Sequence, residues 1–185
     1  MCGKGLSNST VGIVGLGRIG MALARRVRPF GTEKILYCGR TKKAYDAEVG
    51  ASYVTFEELL KQSDFIIVSL PLVPGTKELF NKAAFAQMKK TAIFINISRG
   101  AIVNQDHLYE ALKNKQIAAV GLDVTTPEPL PTNHPLLKLK NCVVLPHIGS
   151  ATMETRSAMA ELTAKNILAG LKGQPMPSPL DLTTA

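Results

Sequence analysis

Gly15, Gly17 and Gly20 stand in the spacing G-x-G-x-x-G, with Leu16 between the first two and Arg18-Ile19 before the third. Placed after a strand and at the start of a helix, three such glycines serve a phosphate. The first makes a tight turn, the second lets backbone approach a pyrophosphate, and the third lets helix and strand pack closely. The helix N-terminus then offers free N–H groups and a positive dipole end to the anion. Gly15, Gly17, Arg18, Ile19 and Gly20 are the expected contacts. About 20 residues further on, sites of this kind place an Asp or Glu for a free ribose 2′-hydroxyl. Here the chain reads Gly39-Arg40-Thr41-Lys42-Lys43. No carboxylate repels a 2′-phosphate there, and three cations could attract one. NADP(H) is therefore the expected cofactor, ahead of NAD(H), with Gly39, Arg40, Thr41 and Lys42 as contacts.

The elements that must position these residues follow from apolar periodicity. Thr10 to Gly15 reads as a strand. Arg18 to Arg28 reads as a helix with Ile19, Ala22, Leu23 and Val27 on its apolar face. Lys34 to Cys38 and Ala51 to Val54 are further strands, and Thr55-Phe56-Glu57-Glu58 is a capping box opening a short helix. Asp64 to Ser69 is a continuous apolar run, as in a strand buried on both faces. Asn81 caps a helix through Met88, Thr91 to Ile97 is a strand, and Asn104 caps a helix through Lys113. Ala118 to Leu122 and Cys142 to Leu145 are the last strands. Pro127, Pro129, Pro131 and Pro135 make the stretch between them irregular. Strands alternating with helices specify an α/β fold: a doubly wound, Rossmann-type parallel sheet with helices on both faces. The expected division is a dinucleotide-binding domain over 1–150, a helix over 151–173, and a frayed tail over 174–185.

Four motifs occur in order: Gly15-Leu16-Gly17-Arg18-Ile19-Gly20, Asn96-Ile97-Ser98-Arg99-Gly100, Gly121-Leu122-Asp123-Val124 with Glu128-Pro129, and Pro146-His147-Ile148-Gly149-Ser150-Ala151-Thr152. With them the chain resembles the D-2-hydroxyacid dehydrogenase family over nearly its whole length. The runs around Asn96 and from Pro127 to Leu136 resemble its members that reduce glyoxylate and hydroxypyruvate. Reducing a 2-oxo acid needs a cation for the anionic substrate, a donor to polarise the carbonyl, and an acid for the forming alkoxide. Arg99 follows a strand end, where open α/β sheets bind ligands, and its guanidinium forks onto oxygen pairs. His147 also follows a strand end and suits the proton donor. Glu128, in the proline-rich loop, would favour the imidazolium. The resemblance assigns Arg99, Glu128 and His147 these catalytic roles. It adds Leu70, Pro71 and Thr76 at the adenosine half of the cofactor, with Ile97, Asp123 and Gly149 among the other contacts. Asp123 could instead bind N–H groups of its own loop; the resemblance favours the cofactor.

The resemblance also implies a two-domain molecule, of which this chain looks like the cofactor half plus one helix of the substrate domain. That helix carries Met159, Leu162, Ile167, Leu168 and Leu171, an apolar surface suited to packing on such a domain. The chain alone is then expected to bind cofactor but to reduce substrate weakly or not at all. A homodimer through the dinucleotide domain is implied as well.

Composition bounds the alternatives. The 185 residues suit one globular domain with at most an appendage, and 45% hydrophobic residues suffice for a core. The longest apolar stretches are far short of a membrane span. Of the net charge of +8, a local +7 lies between Gly15 and Lys43, with eight Lys/Arg against Glu33. That stretch surrounds the expected cofactor phosphates, so no nucleic-acid partner is needed to explain it. Cysteines at 2, 38 and 142 show no pairing or metal-ligand spacing, which suggests a reducing, cytoplasmic compartment and thiols that are not nucleophiles. No metal site is visible. His107 reads as an exposed helix residue and His134 as a residue shaping the proline loop. The competing classes are a non-catalytic NAD(P)-binding module akin to a co-repressor, and another Rossmann-type enzyme such as a methyltransferase. The Arg, Glu and His motifs argue against both.

Overall fold

The computed structural model describes residues 3–180; Cys2 and the end of the tail after Leu180 lie outside the described residues. One compact unit runs to Pro146 and a second begins at His147. The first holds seven strands: β1 (Thr10–Val14), β2 (Lys34–Cys38), β3 (Ala51–Tyr53), β4 (Phe65–Val68), β5 (Ile93–Asn96), β6 (Ala119–Leu122) and β7 (Cys142–Val144). Their order is β3-β2-β1-β4-β5-β6-β7, every neighbouring pair parallel. This is the doubly wound arrangement that the alternating pattern predicts.

Side-chain alternation along the strands feeds two cores. On one face, Val11 and Ile13 of β1 and Phe65 and Ile67 of β4 meet α1 (Arg18–Val27). On the other, Val14, Ile66, Val68 and Phe94 meet α2 (Phe56–Gln62), α3 (Lys82–Ala86) and α4 (Gln105–Lys113). All residues of β1 and β4 are buried, as expected of central parallel strands. The Phe80 and Phe94 rings meet at a tilt, centroids 4.7 Å apart, and Phe94 meets Phe85 edge-on at 5.6 Å.

The helix starts match their sequence signals. Thr55 accepts from the Glu58 N–H while Glu58 accepts from the Thr55 N–H, closing the capping box. Asn81 and Asn104 cap α3 and α4 through their side-chain oxygens. The apolar face of α1 differs from the periodic reading. Gly20, Met21, Ala24 and Val27 are buried, whereas Ile19 is 63% exposed. The glycine crossing explains this. A Cβ on Gly20 would collide with the Gly15 carbonyl oxygen, so Gly20 must face the turn after β1. That contact sets the helix rotation and turns Ile19 outward.

The second unit contains α5 (Met153–Leu171), capped by Thr152. None of its residues is buried, and Met159, Leu162, Ile167, Leu168 and Leu171 are 42–81% exposed. The described part of the tail is not frayed as expected: Asn166 holds Ser178 by a donated and an accepted hydrogen bond. Among the described residues no helix is long and apolar enough to cross a membrane.

Asp64, just before β4, ties three segments together at the N-terminal end of the central strands, away from the glycine turn. It accepts from Lys4 at 2.6 Å, from Lys89 at 3.0 Å and from the Thr10 N–H at 2.9 Å. Burial pushes its carboxyl up, but these three donors outweigh burial and hold its pKa at about 2. A depressed carboxyl stabilises the fold above its ordinary pKa, and that stability is lost as pH falls toward 2. Asp64→Asn should cost about 1–2 kcal/mol at pH 7, allowing for the half-exposed lysines. Denaturant melts should also show the variant losing less stability than wild type between pH 4 and 2.

Candidate functional site

The glycine turn lies at the C-terminal end of β1, between β2 and β4. Gly15 has φ of 102°, and its N–H donates to Cys38 O of β2. Ser69, just past β4, donates its hydroxyl to Gly15 O at 2.6 Å. The turn is thus held from both neighbouring strands. Open space lies where a Cβ on Gly17 would point, so backbone is accessible there. Among the described α-helices, α1 alone has no side-chain cap; Gly17 stands at its N-cap. Its first N–H groups therefore face outward without a protein acceptor from the cap, which suits an anion.

A cleft of about 510 Å³ opens beside this turn. Its floor is Gly15, Leu16 and Gly17. One wall is Cys38, Gly39, Arg40, Lys43 and Tyr53; the other is Ser69, Leu70, Pro71, Val73 and Thr76. Val54, Thr55, Phe56 and Leu79 close the back, and no carboxylate lines it. Thr76 fixes its own wall: its hydroxyl accepts from the Val73 N–H and donates to Pro71 O, both at 2.8 Å. The cleft brings together Gly15, Gly17, Gly39, Arg40, Leu70, Pro71 and Thr76 from the expected contacts. Thr41 and Lys42 are exposed on the same loop but do not line it; Lys43 does. Arg18, Ile19 and Gly20 belong to the start of α1. Tyr53 and the apolar back wall of Val54, Phe56 and Leu79 are not among the expected contacts; no motif marks them, because they reach the cleft only through strand and helix packing.

Arg99 follows β5, its side chain exposed and its Nη1 donating to Ser98 O at 2.7 Å. The turn beneath it is rigid. Fully buried Asn96 donates to Arg99 O and accepts from the Ser98 N–H, and the Ser98 hydroxyl donates to Val68 O. Gly100 then packs directly on Thr125: a Cβ there would collide with the Thr125 carbonyl. Arg99 is thereby seated beside the proline-rich loop, where the Glu128 carboxylate accepts from the Thr125 N–H at 3.3 Å. Gln105 holds the same loop by bonding both the N–H and the carbonyl of Thr126. Ile97 is half-buried after β5, and the Asp123 N–H donates to Asn96 O. His147 and Gly149 open the second unit. His147 has φ of 55°, a left-handed conformation uncommon for a non-glycine residue and frequent at functional positions.

His107 corrects its expectation: it is half-buried, and its Nδ1 is buried without a hydrogen-bond partner. His134 shapes the proline loop as expected, accepting from the Leu136 N–H. Cys38 lies in β2 and Cys142 in β7. Burial pushes the first thiol up to about 12 and the second to about 11, so neither is a ready nucleophile. Cys2 lies outside the described residues.

A glycine turn feeding an uncapped helix, at the point where a parallel sheet reverses its strand order, defines a dinucleotide-binding domain of Rossmann type. The comparisons refine this. A family model described as D-isomer specific 2-hydroxyacid dehydrogenase, NAD binding domain, matches residues 1–149. The chain belongs to that family. It is 62% identical over 183 residues to the glyoxylate reductase/hydroxypyruvate reductase of Homo sapiens, covering 98% of this chain and 56% of that protein. It is 51% identical over 177 residues to the glyoxylate reductase of Thermococcus litoralis, covering 95% of this chain and 53% of that protein. The solved structure of D-lactate dehydrogenase with NAD+ from Lactobacillus jensenii superposes with a TM-score of 0.87 at 29% identity, over 96% of this chain and 57% of that one. The chain thus spans about half the length of the curated relatives it matches. Its cofactor class is a nicotinamide dinucleotide, which the residues fit: an open glycine turn, an uncapped helix start and a largely apolar cleft beside them.

Gly20→Ala should push α1 away from the turn. Overpacking of this kind costs about 1–3 kcal/mol, so fluorescence titration should show nucleotide affinity falling by about tenfold or more. Unaltered affinity would contradict the close crossing.

Proposed function

We propose that this chain is the cofactor-binding and catalytic-residue part of an NADPH-dependent reductase of small 2-oxo acids, acting on glyoxylate to give glycolate and on hydroxypyruvate to give D-glycerate. The observation that carries the reading is its 62% identity, over 98% of its length, to a protein of that substrate class. For the cofactor's phosphate, support comes from the cleft wall after β2, which presents Arg40 and Lys43 and no carboxylate. Lys42 adds charge on the same loop.

In this reading Arg99 binds the substrate carboxylate and polarises the 2-oxo group, its backbone held by Asn96 and Gly100. The bound dinucleotide supplies the hydride to C2. The His147 imidazolium gives a proton to the developing alkoxide, so the carbonyl gains one hydride and one proton overall. Glu128 favours the charged imidazole and holds its orientation. Gly15, Gly17, Arg18, Ile19 and Gly20 bind the pyrophosphate, and Gly39, Arg40, Thr41 and Lys42 the phosphorylated ribose. Leu70, Pro71 and Thr76 receive the adenosine half, while Ile97, Asp123 and Gly149 serve the nicotinamide end. The reading includes a dinucleotide-binding domain over 1–150, a substrate-domain helix over 151–173, and weak or no turnover by these 185 residues alone. A cytoplasmic homodimer, paired through the dinucleotide domain, completes it.

Two measurements test the proposal. Michaelis constants in a form with glyoxylate turnover should favour NADPH clearly over NADH; an NADH preference would overturn the cofactor assignment. In the same form His147→Ala should lower kcat by about 10²–10⁴-fold while leaving NADPH affinity near wild type. Equal losses in both would refute the role of His147.

A further inference from the structure

The loop between β2 and β3 carries Arg40, Lys42 and Lys43, yet its only regular structure is a short 3-10 turn, Asp46–Val49. Nothing in its sequence dictates where three mutually repelling cations should sit. The tertiary structure does so through three of the chain's four tyrosines. Tyr37 is fully buried in β2; its hydroxyl accepts from the Lys43 N–H at 2.8 Å and donates to buried Asp46 at 2.9 Å. Tyr53 leans on the Tyr37 ring, centroids 5.3 Å apart, and donates to Gly39 O at 3.1 Å. Tyr45 donates to Leu16 O at 3.2 Å, linking the far side of the loop to the glycine turn.

Phenylalanine could fill the same volume at each position. The buried Tyr37 hydroxyl would be costly unpaired and finds both its partners in this loop, while the more exposed Tyr45 and Tyr53 hydroxyls tie the loop to the glycine turn and to β3. Burial, opposed by the Lys43 N–H and reinforced by Asp46, keeps the Tyr37 phenol's pKa above its ordinary value, so it remains a donor at neutral pH. We infer that Tyr37, Tyr45 and Tyr53 are positioning residues that set the preference for a 2′-phosphorylated dinucleotide, by holding the 39–46 loop so that its cations meet that phosphate. The inference rests on the NADPH reading above. Cations held in place before binding lose less conformational freedom when the dianion arrives, and that advantage is confined to the cofactor bearing the phosphate.

The test is fluorescence titration of the 185-residue chain with NADPH and, separately, NADH, for wild type, Tyr37→Phe and Tyr45→Phe, with thermal melts alongside. Tyr37→Phe should weaken NADPH by about tenfold and change NADH by less than about twofold. Tyr45→Phe, at a half-exposed position, should give a smaller loss of the same selectivity, about threefold. Parallel weakening of both cofactors would mark the tyrosines as merely structural and overturn the inference, as would an unchanged NADPH/NADH ratio in the variants. If Tyr37→Phe does not fold, Tyr45→Phe decides. A wild type without NADPH preference would refute the cofactor reading and the inference with it, whereas a preference that survives both substitutions refutes the inference alone.

Discussion

β1 pairs in parallel with β2 along one edge and with β4 along the other, and the chain reverses its direction of winding between those pairings. Parallel strands present all their C-terminal ends on one side, and the reversal leaves a crevice there that no crossover helix fills. The segments after β1, β2, β4, β5 and β6 therefore all arrive at one rim. Backbone must come very close to backbone at that rim. Gly15 and Gly20 meet this demand where α1 crosses the turn, and Gly100 meets it where the Arg99 turn presses on Thr125. The chemistry depends on these contacts because they set where side chains can point.

Around that rim, rigidity is built from side-chain-to-backbone hydrogen bonds. Asn96 and Ser98 lock the turn that presents Arg99, and Gln105 and Glu128 bond the backbone of the proline-rich loop. On the other side of the crevice the tyrosines do the same for the cation-bearing loop. An exposed arginine or lysine is a poor reagent if it samples many rotamers over a mobile backbone. Here exposure of the charged tips is combined with fixed backbone beneath them, so binding orders few additional groups.

Much of this was legible in the amino-acid order. Period-two and unbroken apolar runs marked all seven strands, and Thr55, Asn81 and Asn104 marked helix starts by side chains that bond their own next turn. Such signals are local, so a linear reading finds them. The apolar face of α1 was misread because its rotation is set by a glycine contact with the preceding turn, and glycine contributes nothing to an apolar period. The helical period likewise gives no sign that His107 is half-buried on α4. The tail near Ser178 looked frayed because its partner, Asn166, lies a helical segment away.

The sequence by itself determined the layered parallel fold, the phosphate-binding turn, the family, and the identity of the residues offered for chemistry. Each of these is carried by residue type and spacing along a few neighbouring positions. Only the tertiary structure decided that Lys43 rather than Lys42 lines the cleft, that Tyr53, Val54, Phe56 and Leu79 enclose it, and that Tyr37, Tyr45 and Tyr53 hold its cationic wall. These are contacts between segments distant in the chain. They arise where strand pairing brings loop ends together, and side-chain order alone does not encode the distances at which those ends meet.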